Sequence, residues 1–193
     1  MADDRGGWRR ARSEPGPDYK IFQVIFEYMV SPRTGQESRY VVLDAPDWIN
    51  VIALPGDARD PEARIVLVRE YRHGSDAMAL EIPSGQVDKG EDALLAARRE
   101  LAEETGYTGG RWTRLGRSRP NAAFLRNWCT SFLAEGVELT AQPTLDAGEA
   151  ISVELRALAE MPELIRSGQV DQALIIDAFY WLNDRLQQEN RTS

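Results

Sequence analysis

Continuous β-branched and aromatic runs give way along this chain to stretches whose apolar residues recur every three and four positions, and the change marks its elements. β-Branched and aromatic runs from Lys20 to Val30 and from Glu37 to Leu43 flank the turn residues Pro32-Arg33-Thr34-Gly35, which predicts a hairpin. Trp48 to Leu54 and Arg64 to Arg69 predict two more strands, parted by Pro55-Gly56-Asp57 and Asp60-Pro61. Met78 to Ile82 predicts a short strand stopped by Pro83. From about Glu91 to Thr105 the period becomes three and four. Leu94, Ala97 and Leu101 form one buried stripe of a predicted helix, with Ala93 and Ala96 on an uncrowded side. Gly106 is its natural stop, since glycine takes the left-handed conformation without steric cost. Further strands are predicted at 111–117, 127–135 and 151–156, then a short helix from about Leu158 to Arg166 ending at Gly168. A last helix, from Asp171 to about Gln188, carries Leu174, Ala178, Phe179, Leu182 and Leu186 on one face.

The order strands, helix, strands, helix predicts α+β layers and not a doubly wound parallel sheet. Residues 1–18 are polar and show no apolar period, so they read as a loosely ordered tail. That leaves residues 19–46 as an N-terminal β-hairpin extension and 47–190 as the main domain. A chain of 193 residues with 42% hydrophobic content suits one domain with a short appendage. The net charge of −8 argues against a general nucleic-acid binder, which needs clustered cations. A small anionic substrate remains compatible, provided that a metal neutralises the acidic site and arginines hold the phosphates. The single cysteine, Cys129, excludes an internal disulfide, suits a reducing cytoplasm, and reads as a small buried hydrophobe. No apolar stretch of about 18 residues occurs and the first residues lack an apolar leader core, so neither membrane spanning nor export is expected.

The candidate chemistry lies in the predicted helix. Glu100, Glu103 and Glu104 share one helical face, where like charges cost about 0.2–0.5 kcal/mol per pair in an isolated helix. No Lys or Arg stands at 103, 104, 107 or 108 to relieve them, and a divalent cation would. Oxygen ligands without His or Cys select Mg²⁺ or Mn²⁺ over zinc or copper. A solvated acidic face is the alternative reading of such a cluster.

Its setting decides between the two. Gly85, Glu91, Arg99, Glu100, Leu101, Glu103, Glu104, Gly106 and Tyr107 occupy every defined position of a 23-residue motif, and on these residues the chain resembles the Nudix hydrolases. The resemblance implies the Nudix fold, a mixed β-sheet sandwiched between helices. It implies Glu100 and Glu104 as principal metal ligands, Glu103 on the same metal cluster and the Ser84 carbonyl completing it. Gly85 allows the close turn there, and Glu91 and Arg99 form a structural pair anchoring the loop to the helix. The reaction implied is metal-dependent hydrolysis of a diphosphate linkage. Val68-Arg69-Glu70-Tyr71-Arg72-His73-Gly74 and Leu80-Glu81-Ile82-Pro83-Ser84-Gly85 resemble the ADP-ribose and nucleotide-sugar pyrophosphatases within that family. Arg72 is then expected to bind phosphate, and Glu81 to line the site. Glu149, in a segment similar to the late loop that carries a glutamate in ADP-ribose-cleaving relatives, is the first candidate for the base, and Glu103 the second. His73 reads as a surface residue. Phe22, Phe26 and Tyr28 read as core or dimer interface, with base stacking as the alternative.

ADP-ribose, cleaved to AMP and ribose 5-phosphate, is the leading substrate; another nucleotide sugar, of the GDP-mannose type, is the alternative. The chain departs from the subgroup at Arg119-Pro120-Asn121-Ala122-Ala123, where a Ser-Pro-Gly element is usual. The resemblance further implies a cytoplasmic homodimer formed through the N-terminal β extension. A non-catalytic nucleotide-sensing module is the competing class, and the intact motif argues against it.

Overall fold

A computed structural model describes residues 5–145 and 150–192. The chain divides into two compact units: the chain up to Pro46 with Arg119–Trp128, and Asp47–Ser118 with Cys129 onward.

The first unit is an antiparallel sheet of β1 (Arg9–Asp18), β2 (Gln23–Val30) and β3 (Glu37–Asp44), in that order. The β2–β3 hairpin forms as its β-branched and aromatic runs and turn residues predict, closed by the Ser31 and Gly35 amides donating to the Gln36 and Ser31 carbonyls. β1 corrects the reading of residues 1–18 as a tail where it runs, over Arg9–Asp18. Its cohesion is polar, which is why no apolar period announces it. Arg12 donates to Glu14 at 3.0 Å and lies 3.4 Å over the Tyr28 ring, and Tyr28 donates to Glu14. Arg10 Nε stands 2.7 Å from the buried Glu27, whose other oxygen accepts from Arg126 at 2.6 Å. The segment Arg119–Trp128 also departs from expectation. It runs along β3 through Leu43 N–H to Phe124 O (2.8 Å) and Arg126 N–H to Leu43 O (3.1 Å). Asn127 and Trp128 belong to it and not to the following strand.

The second unit is built on a mixed sheet. Its strands are β4 (Trp48–Leu54), β5 (Arg64–Arg72), β6 (Ala77–Glu81), β7 (Ser84–Gln86), β8 (Tyr107–Ser118), β9 (Cys129–Leu139) and β10 (Ser152–Ala157). The path is β10-β5-β4-β9-β8, with β6 on β5 and β7 on β4; β4 and β9 are parallel and the other pairs antiparallel. Its helices are α1 (Ala93–Thr105), α2 (Met161–Arg166, entered through a 3₁₀ turn) and α3 (Ala173–Thr192).

Period-2 alternation sends the strand side chains to two cores. Ile52, Leu54, Leu67 and Leu133 meet α2 and α3 on one face; Ile49, Val51, Val66 and Phe132 meet α1 on the other. The sheet is therefore layered between helices, as expected. Each helical stripe keeps most of its expected residues and differs at one position. Ala96 is fully buried with Ala97 and Leu101 instead of facing a metal side, while Leu94 is half-buried. On α3, Ile175 takes the buried place expected for Leu174.

Candidate active site

α1 begins later than its pattern suggests, and this determines where Glu91 works. Asp92 is the N-cap, its carboxylate accepting from the Leu94 and Leu95 amides, so Glu91 remains in the loop before the helix. There it accepts from the Asp88 amide at 3.0 Å and from Arg99 Nε and Nη2 at 3.2 and 3.0 Å. Arg99 Nη2 also donates to the Gln86 carbonyl at 3.0 Å. The expected Glu91–Arg99 pair thus joins loop to helix at several points. Arg99 hydrogen bonds hold the Glu91 carboxyl below the ordinary carboxylate range, and Glu91 foremost, with Glu100 and Glu103, raises the Arg99 guanidinium.

Arg99 does more than anchor. Nη1 donates to Glu100 at 2.9 Å and to Glu103 at 3.1 Å, which supplies the counter-charge that the spacing argument found missing. Positions 103, 104, 107 and 108 lie ahead of Glu100 and Glu104, whereas this cation precedes both and is the immediate neighbour of Glu100. Glu104 is buried and accepts from the Ser84 amide at 3.2 Å, which brings together two residues expected at the metal. Gly85 leaves the space that the Glu100 carboxylate occupies, since a Cβ there would meet the carboxyl carbon and both oxygens and push that side chain aside. Gly106 ends α1 at φ 73°, its amide donating to Ala102.

β5 and β6 supply the second part of the site. Arg72 forms a two-point fork with Glu81, at 3.0 and 2.6 Å, and its Nη1 lies 2.9 Å from Glu70. Glu81 is buried. The guanidinium is raised by its bonds to Glu81 and by the charges of Glu81, Glu70 and Glu104, so Arg72 lies within electrostatic reach of α1. Glu70 was not singled out in the sequence, although period-2 spacing from Arg72 puts both on one face of β5 and was the available signal.

Glu149 lies outside the described residues. His73 is exposed, its ring edge-on to Tyr71. Cys129 is buried, and burial pushes its thiol up to about 12, which fits an inert core role. Phe22, Phe26 and Tyr28 are half-buried in the first unit.

Among the described residues, no three His, Cys, Asp or Glu side chains are gathered as closely as a bound metal requires. Glu100 and Glu103 are turned to Arg99, and Glu104 to Ser84. The donor set nevertheless fits a hard divalent ion, because it is all oxygen and Glu100 is seated where Gly85 leaves room for it.

This layered sheet, with a glutamate-bearing helix docked by a glycine loop, defines a class. The NUDIX domain family model matches residues 49–179, and the chain belongs to the Nudix family. It is a Nudix hydrolase of the pyrophosphatase type. It is 29% identical over 164 residues to an ADP-ribose pyrophosphatase of Bacillus subtilis, covering 84% of this chain and 85% of that one. It is 32% identical over 154 residues to a CMP-5'-(N-acetyl-N-hydroxy-3-aminopropyl)phosphonate hydrolase of Streptomyces rubellomurinus, covering 71% and 72%. An ADP compounds hydrolase of known crystal structure has the same fold, with a TM-score of 0.80 at 20% identity over 95% of this chain and 96% of that one. Among the described residues, no helix is long and apolar enough to cross a membrane.

Proposed function

We propose that this chain hydrolyses the diphosphate linkage of a nucleoside diphosphate derivative, with ADP-ribose as the leading substrate and AMP and ribose 5-phosphate as products. The observation that carries the reading is the seating of Glu100 against the bare Cα of Gly85, next to Glu104 on the Ser84 amide. Glu100, Glu103, Glu104 and the Ser84 carbonyl would hold Mg²⁺, with Mn²⁺ as a substitute. Bound there, the ion supplies charge neutralisation for the phosphates and acidification of a water. Arg72 binds a phosphate oxygen and Glu81 fixes its orientation. Glu149, or Glu103 in its place, takes the proton of the attacking water.

Near end-to-end similarity to an ADP-ribose pyrophosphatase supports the choice of substrate. Similarity to the CMP-phosphonate hydrolase favours a second reading, a nucleotide conjugate with another base and another leaving group. Turnover of a panel of dinucleotides, nucleotide sugars and CMP conjugates with Mg²⁺ or Mn²⁺, with products identified by mass, separates the two. ADP-ribose should be the best substrate, and preference for a CMP conjugate would select the second reading. Glu149→Gln should lower kcat strongly with a modest change in KM; unchanged kcat would pass the base role to Glu103.

Homodimerisation through the N-terminal sheet and residence in the cytoplasm complete the proposal. The N-terminal unit exposes Ile21 in the turn between β1 and β2, and Tyr40 and Val41 on the two faces of β3, apolar side chains for a partner copy to cover.

A further inference from the structure

The Arg72 guanidinium is engaged by two carboxylates that differ in how easily each can be left. Glu81 meets the guanidinium at two points and its side chain is 2% exposed, whereas Glu70 meets it at Nη1 and its side chain is 18% exposed. An ionised carboxylate at the depth of Glu81 has no water to replace a lost partner, so its fork with Arg72 must persist. Glu70 has some access to solvent and can give up its contact more readily. A phosphate approaching Arg72 needs N–H donors on the accessible side of the fork, and Nη1 is the arm that Glu70 holds.

We propose that Glu70 is a positioning residue that keeps Arg72 in place while the site is empty and yields Nη1 to a phosphate when a nucleotide binds, with Glu81 holding its two points throughout. This rests on the reading of Arg72 as the phosphate-binding arginine. Glu70 then competes with substrate and product for the same donors, lowering affinity for both and returning to Nη1 as the product phosphate leaves. No bond is made or broken in the exchange. β5 builds it in, because Glu70 and Arg72 are two residues apart and share a face.

The test is calorimetric titration of the full chain with ADP in the presence of Mg²⁺, for the wild type, Glu70→Gln, Arg72→Lys and the double variant. Glutamine keeps the shape of Glu70 without its charge, and lysine keeps a cation beside Glu81 without the Nη1 arm, so both variants preserve the packing. Glu70→Gln should bind ADP about 5- to 10-fold tighter, and Arg72→Lys about 10-fold weaker. The double variant should bind like Arg72→Lys alone, since the gain acts only through Arg72. Unchanged or weaker binding by Glu70→Gln overturns the exchange while leaving Arg72 as the phosphate ligand. Tightening that survives in the double variant also overturns it, because relief of general negative charge would then be the cause. Unchanged binding by Arg72→Lys removes the reading of Arg72 itself, and the proposal with it.

Discussion

At the scale of single residues, the site depends on two contacts a sequence shows only in outline. The Nudix motif makes Gly85 and Glu100 legible as a pair of positions, but only their packing shows that the carboxylate occupies the space a Cβ would fill. Gly85→Ala should therefore displace Glu100 by about an ångström and reduce kcat about 100-fold, the usual cost of such misplacement; near-normal turnover would show that the seat is dispensable. Arg99 was legible as the partner of Glu91, and its hold on Glu100 and Glu103 was not, because Arg99 precedes the acidic face while the positions weighed for counter-charge lie ahead of Glu100 and Glu104. Glu91 predicts a pH signature. Its folded pKa lies below the ordinary value of 4.5, so its stabilisation is complete above that value and is lost as pH falls through the lower folded one. Glu91→Gln should cost about 1 kcal/mol at neutral pH, or about 2 to 4 °C of melting temperature, with the gap closing in acid. A gap unchanged at acid pH would place the cost elsewhere.

At the scale of elements, what was legible follows from where the apolar residues go. β4 and β5 are buried on both faces and stand out in the sequence as continuous apolar runs, and α1 and α3 bury one stripe whose spacing of three and four survives there. β1 is held by Arg10, Arg12 and Glu14 against Glu27 and Tyr28, contacts that exist only once the partner strand is present. The segment Arg119–Trp128 was singled out as unusual, and its place beside β3 depends on backbone hydrogen bonds and on Arg126 meeting Glu27 across 99 positions of sequence. Arg126→Met takes from the buried Glu27 one of its two cations and should destabilise this unit by about 1–3 kcal/mol. Hydrogen exchange should then speed up in β2 and in residues 119–128 while α1 is unaffected. Unchanged protection in β2 would show that Arg10 alone suffices.

At the scale of the whole molecule, the layered α+β arrangement and the family were both readable, the first from the order of periods and the second from the motif. The parallel β4–β9 pair was not, since the partners are far apart in sequence and nothing local in either strand specifies the other. The exposed apolar side chains of the N-terminal unit bear on assembly. Sedimentation should give a particle of about twice 21.7 kDa, and Val41→Arg should halve it; a monomeric wild type would contradict the dimer. The central claim is that the carboxylate face of α1 carries hydrolysis of a phosphate anhydride. Phosphorus NMR of ADP-ribose incubated with Mg²⁺ tests it most directly, comparing the wild type with folded Glu104→Gln. The diphosphate signals should give way to two phosphomonoester signals with the wild type, and should persist with the variant at a rate lower by orders of magnitude. Equal rates for the two proteins would contradict the account.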